Sequence, residues 1–119
     1  MGKITKFEDI EAWKDARTMA GSVYKMTDDW KDLSLKDQMR RASVSVMANI
    51  AEGYARSGNK ELAKFLFIAK ASASELQSHL YLSSDLKYIS PECFNSVYDQ
   101  LDKIQRKLSN FIKALRIAL

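Results

Sequence analysis

The chain has 119 residues, 46% of them apolar and 29% charged, with four glycines, one proline and one cysteine. That length buries an ordinary core without a metal or disulfide staple, and Cys93 alone cannot form an internal disulfide, so a reducing, cytoplasmic setting is expected. Nineteen Lys/Arg against 15 Asp/Glu give a net charge of +4, which permits a nucleic-acid partner without requiring one. No apolar run reaches bilayer-spanning length and the opening "MGKITKFEDIEAW" is too charged for a signal peptide, so no membrane association is expected.

In the first segment, Trp13, Ala16, Ala20, Val23, Thr27 and Trp30 recur at steps of three and four, a stripe on one helical face. The spacing predicts a helix over 7–30, with Thr5 and Glu8 as a capping box. The polar stretch "DDWKDLS" ends it, and Ser34 with Asp37 marks the next start. A second helix is predicted over 35–55 and stops at "RSGNK", where Gly58 breaks the chain and Asn59 is the expected N-cap of a third. The third, predicted over 60–87, aligns Leu62, Phe65, Leu66, Ala69, Ala73, Leu76 and Leu80. In "YISPEC", Ser90 as N-cap and Pro91 as first helical residue open a fourth, predicted over 91–117.

That last segment carries a continuous heptad seam: Phe94, Val97, Leu101, Ile104, Leu108, Phe111, Leu115 and Ala118, widened by Tyr98, Ile112 and Leu119. Long helices joined by short loops fold back on one another. The expected architecture is all-α, an antiparallel up-and-down four-helix bundle forming one domain over 1–119.

The second helix is unusual in carrying little bulk. Met39, Ala42, Val46 and Ile50 make one apolar stripe, while Val44, Met47, Ala51 and Tyr54 make another. A helix apolar on two faces is buried on two faces, and a four-helix bundle covers only one. The third helix has the same excess at Phe67, Ala71 and Leu82, with Ser74 and Ser78 beside them. A homo-oligomer is therefore expected; the alternative is a thick, irregular monomer core. Asn49 and Glu52 need partners if covered, because an unpaired buried polar group costs about 1–3 kcal/mol. Gln38, Arg41, Asn49 and Glu52 are the candidate members of a structural polar network, and Glu52 also precedes Arg56 by one turn.

"LKDQMRRASVSVMANIAEGYARSGNKELAKFLFIAKASASEL" resembles the signature of the bacterial 23S rRNA intervening-sequence proteins, often called simply four-helix bundle proteins. The resemblance rests on Gln38, Arg40, Arg41, Ala42 and Ser45, then Asn49-Ile50-Ala51-Glu52-Gly53 and Arg56. It continues through Lys60, Glu61, Phe65, Leu66, Ala69, Ser72, Glu75 and Leu76, and the opening helix with Phe7, Trp13 and Tyr24 is similar too. Val46 stands where the family more often has Ile. The resemblance implies a four-helix bundle assembled as a barrel-like homopentamer, with no enzymatic activity established for the family at large. The accessory variability proteins of diversity-generating retroelements, which work with a reverse transcriptase and bind nucleic acid, are similar in fold and assembly.

Catalytic chemistry has little to stand on. His79 is the lone histidine, one turn after Glu75, whereas di-iron bundles need two Glu-x-x-His pairs and further glutamates. A hydrogen-bonded structural histidine at a core-facing position is expected, with no metal and no cofactor. Cys93, in a helix's first turn where a mildly lowered thiol pKa is possible, is taken as a packing residue. Neither a Gly-rich phosphate loop nor a base-reading motif is present.

The basic residues remain. Lys103, Arg106, Lys113 and Arg116 lie opposite the heptad seam with Lys107 beside it, and Arg56, Lys60 and Lys64 bracket the break between the second and third helices. With Arg40 these form the candidate nucleic-acid surface, recognising RNA or DNA backbone rather than bases. The leading expectation is a non-enzymatic homo-oligomer binding nucleic acid, with a protein partner as a further possibility. Its rival is a protein–protein scaffold that binds no nucleic acid.

Overall fold

The computed structural model describes residues 3–118, with the side chain of residue 118 outside the description. Four helices make up the fold: α1 (Glu11–Met26), α2 (Leu33–Ala55), α3 (Asn59–Asp85) and α4 (Pro91–Ala118). α1 packs on α2 and α4, and α3 packs on α2 and α4, so consecutive helices are neighbours and the last returns to the first. This is the expected antiparallel up-and-down bundle, a rod of 45 × 21 × 20 Å.

The helix ends differ from the sequence expectation in instructive ways. α1 begins at Glu11, not at residue 7, because a short 3-10 turn, Phe7–Asp9, comes first. The Thr5 amide and hydroxyl both donate to Asp9 at 3.0 Å, and Glu8 takes no part. These bonds hold the Asp9 carboxyl below its ordinary pKa. Phe7 then packs edge-on against Trp13, ring centroids 5.0 Å apart. α2 is capped not by Ser34 but by Asp32, which accepts from the Leu35 amide at 3.1 Å and receives the Tyr88 hydroxyl at 3.0 Å. Asn59 is already helical; Gly58 takes the cap position at φ +92°, a conformation other residues rarely adopt. Ser90 does cap α4, accepting from the Cys93 amide at 3.1 Å ahead of Pro91.

The buried stripes follow the sequence pattern closely. Ala16, Ala20, Val23 and Thr27 of the first stripe are covered, while Trp13 and Trp30 close its ends half-buried. Met39, Ala42, Val46 and Ile50 are buried on α2, and Leu62, Leu66, Ala69, Ala73, Leu76 and Leu80 on α3. On α4 the seam runs through Val97, Leu101, Ile104 and Leu108, then shifts from half-buried Phe111 to buried Ile112. A 3.6-residue helix drifts against a strict heptad, so the flanking position takes over at that turn before buried Leu115 resumes the seam. Of the other seam positions, Leu119 and the side chain of Ala118 lie outside the described residues.

Buried hydroxyls are satisfied locally. Thr27 donates to the Val23 carbonyl at 2.8 Å and Ser43 to the Arg40 carbonyl at 2.8 Å. Ser83 donates to the His79 carbonyl at 2.8 Å and reaches the Met39 sulfur across the α2–α3 seam at 3.3 Å.

Gly53 sets how close α2 and α3 come. A Cβ built there would lie 2.6 Å from the Phe65 Cβ and 3.2 Å from Leu62 Cδ1, contacts that only a shift of α3 relieves. Gly21, on the exposed side of α1, has nothing within 4 Å. The two glycines therefore give opposite expectations. Gly21→Ala should stabilise the fold by about 0.5–1 kcal/mol through helix propensity, and Gly53→Ala should destabilise it by about 1–3 kcal/mol through overpacking. Urea unfolding of both variants checks the contrast.

Candidate nucleic-acid interface

The candidate basic residues divide by what their charge already meets. Arg40, whose side chain is 24% exposed, extends from α2 across the end of α1. Its Nε donates to the Thr27 hydroxyl at 2.9 Å and an Nη to the Tyr24 carbonyl at 3.1 Å, with the guanidinium 4.3 Å from the Tyr24 ring centroid. Lys36 donates to the Asp28 carbonyl at 2.9 Å beside it. Two cations of α2 thus close the carbonyl-rich end of α1, where positive charge is favoured. Arg40 is held by the fold at the position where sequence placed a nucleic-acid contact.

Lys107 and Lys103 turn inward along α4 toward α1, 2.6 and 4.0 Å from the Asp15 carboxylate. Arg56 pairs with Glu52 at 3.1 Å and lies 5.1 Å from the Phe65 ring centroid. Arg116 covers Phe67 of α3 at 5.0 Å, leaving its charge without an acidic partner among the described residues. Lys60, Lys64, Arg106 and Lys113 are exposed and form no ion pair among the described residues.

Arg106 borders an open cleft of about 320 Å³ between α3 and α4, lined also by Lys70, Asp102, Gln105, Ser109 and Asn110. Gln105 spans the helices there, its side-chain amide donating to the Ser74 hydroxyl and to Gln77 Oε1, both at 3.1 Å. Lys70 was not among the sequence candidates. Only the pairing of α3 with α4 brings it beside Arg106, and neither helix signals this alone. With Lys113 and Arg116 further along α4, four cations outside any ion pair among the described residues lie on the α3–α4 side.

Gln38, Arg41, Asn49 and Glu52 are not bonded to one another. Arg41 pairs with Asp37 at 2.7 Å, Glu52 with Arg56, and Gln38 is exposed. Asn49 donates to the Ser45 carbonyl at 2.8 Å and to its hydroxyl at 3.0 Å, and that hydroxyl meets Ser72 of α3 at 2.8 Å. Asn49 therefore ties α2 to α3 through two serines absent from the expected set.

The second apolar stripe of α2 is not in the core. Val44 is exposed, Met47, Ala51 and Tyr54 are half-buried, and no charged residue occurs between Arg41 and Glu52. Ile68 and Leu82 of α3 are exposed as well. His79 bonds Glu75 at 3.3 Å, and its side chain is 20% exposed. Burial raises the Cys93 thiol pKa, reversing the lowering that a first-turn position would bring. Among the described residues no group of three His, Cys, Asp or Glu could hold a metal ion. Nor is any helix among them long and apolar enough to cross a membrane.

Sequence reasoning also missed an aromatic cluster across α3 and α4. Phe94 and Tyr98 stack at 5.4 Å, and Tyr81 meets both edge-on at 5.1 and 5.9 Å. The Tyr98 phenol is raised above its ordinary pKa by hydrogen bonding to Tyr81, burial and the Asp102 charge adding to the effect. The sequence signal was the one-turn spacing of Phe94 and Tyr98, read there as seam and widening of the seam.

Fold and surface together define a small all-α bundle protein. Within that class the chain belongs to the 23S rRNA-intervening sequence protein family, which it matches over residues 8–110. It is also similar to a solved structure, that of a protein with unknown function from the S23 ribosomal protein family of Bacteroides thetaiotaomicron. The two share 24% identity and a TM-score of 0.80, covering 86% of this chain and 98% of the other, a likeness that speaks for the fold alone. No curated protein matches the chain.

Arg40→Gln should lower stability by about 1–2 kcal/mol, since it strips charge-assisted bonds from a partly exposed site. Its affinity for polyanions should match that of the unaltered protein. Thermal melts paired with heparin-column elution check both halves.

Proposed function

We propose that this protein is a non-enzymatic homo-oligomer that binds the backbone of RNA or DNA through the α3–α4 face. The observation that carries the reading is the gathering of Lys70, Arg106, Lys113 and Arg116 there, none of them in an ion pair among the described residues. Four other candidate cations are held by the fold: Arg40 on α1, Arg56 on Glu52, Lys103 and Lys107 on Asp15. A lysine or arginine outside an ion pair displaces counterions when it meets phosphate, and that release drives sequence-independent binding.

Assembly strengthens the reading. The uncharged outer side of α2, with Val44, Ala48 and Ala51, is the surface proposed to meet another copy, and α3 exposes Ile68 as well. Five copies, as the family resemblance implies, would repeat the basic face around one axis and multiply phosphate contacts. The fold then serves as a charged, multivalent clamp on nucleic acid.

Mobility shifts across about 50 to 200 mM salt test this, because each phosphate contact contributes about −0.7 to −0.9 to the log–log slope. The triple variant Lys70→Gln, Arg106→Gln, Lys113→Gln should bind more weakly on every sequence and with a shallower slope. Absence of binding at low salt, or an unchanged slope in the variant, contradicts the proposal.

A further inference from the structure

Four of the partly exposed aromatic rings of this chain lie under an arginine. Arg17 lies over Trp13 at 5.9 Å, Arg40 over Tyr24 at 4.3 Å, Arg56 over Phe65 at 5.1 Å and Arg116 over Phe67 at 5.0 Å. Each pair joins a cation to the negative face of a ring and shields apolar surface at the same time. The cluster of Tyr81, Phe94 and Tyr98 departs from this. Tyr81, 55% exposed, has the most exposed aromatic side chain among the described residues. No Arg or Lys of the described residues covers any of the three rings.

Carboxylates stand there instead. Asp85 follows Tyr81 by one turn on α3, Asp102 follows Tyr98 by one turn on α4, and both are exposed. One turn along a helix places side chains side by side, so negative charge flanks the rings on both elements. The rings already pack against one another, fixing their orientation before anything binds. Rigid tyrosines of this kind lose little freedom when they enter an interface.

We propose that the Tyr81–Phe94–Tyr98 surface docks a basic segment of a partner protein, with an arginine or lysine laid over the rings and its charge facing Asp85 and Asp102. The partner supplies the kind of cation that the chain itself lays over Trp13, Tyr24, Phe65 and Phe67. A nucleic-acid strand fits less well, because a base stacked on Tyr81 would bring its phosphates against two carboxylates with no cation over the rings. Along α4, Asp102 lies between Tyr98 and Arg106 and also lines the cleft with Lys70 and Arg106, so the acidic, aromatic surface and the basic face meet at that residue. This proposal does not depend on nucleic-acid binding.

The test uses the full chain and two fluorescein-labelled amphipathic peptides, alike in leucine and alanine, one with arginines on its polar face and one with glutamates. The arginine peptide should bind in fluorescence anisotropy and the glutamate peptide should not. Tyr81→Ala, Tyr98→Ala and Asp102→Asn should each weaken binding by about three- to tenfold, while Tyr81→Phe, which keeps the ring, retains it. The melting temperature of Tyr81→Phe confirms an intact fold should Tyr81→Ala prove unstable. The proposal fails if neither peptide binds, if both bind equally, or if Tyr81→Ala leaves the arginine peptide unaffected. It fails equally if Tyr81→Ala lowers the mass of the assembly, making the surface a contact between copies, or if it weakens only a single-stranded oligonucleotide.

Discussion

The close approach of α2 to α3 is the constraint on which the rest of the molecule depends. At Gly53 the backbone of α2 comes so near Phe65 that there is no room for a methyl group. Above that point, Ser45 and Ser72 meet at 2.8 Å, and Ser83 reaches Met39. Small residues along both helices let the backbones approach, and the pair then acts as a spine against which α1 and α4 pack. Low bulk has a second consequence. A helix of alanines, serines and valines covers little on its outer side, so Val44 and Ala48 remain at the surface with no charge among them.

Cation placement follows from the same economy of bulk. With few large side chains to seal the edges of the bundle, arginines lie over exposed rings and lysines reach across helix pairs to Asp15. Each such contact contributes little, about 0.5–1 kcal/mol for an exposed cation–ring pair, but it decides which charges remain for outside partners. Net charge alone therefore describes the surface poorly. What matters is the subset that no ion pair has claimed, and part of it, Lys70, Arg106, Lys113 and Arg116, lies on the α3–α4 side, next to rings that lack a cation of their own.

Much of the fold was legible in the sequence because helix-forming signals are local. The stripes on α1 and α3, the heptad seam of α4 and the Ser90–Pro91 start all rest on neighbours within one or two turns, and each has its counterpart in the structure. Ambiguity entered where two equally good signals stood side by side. Asp32 and Ser34 both suit an N-cap, as do Gly58 and Asn59, and the choice depends on tertiary partners such as Tyr88. The candidate site was less legible, since charge availability is a long-range property. Nothing near Lys107 in sequence announces Asp15, 92 residues away, and nothing near Lys70 announces Arg106. Arg40 is the sharpest case: its destination at the end of α1 depends on how two helices fold back on each other.

Exposed apolar surface on the α2–α3 spine is the feature from which the proposed assembly grows, and the solution mass of the protein tests it most directly. Light scattering coupled to size exclusion should give a particle several-fold heavier than the 13.6 kDa chain and unchanged on dilution through the micromolar range. Ala51→Glu, which sets a charge on that uncharged face, should reduce the mass. A stable 13.6 kDa species that stays monomeric when concentrated would contradict the account at its root.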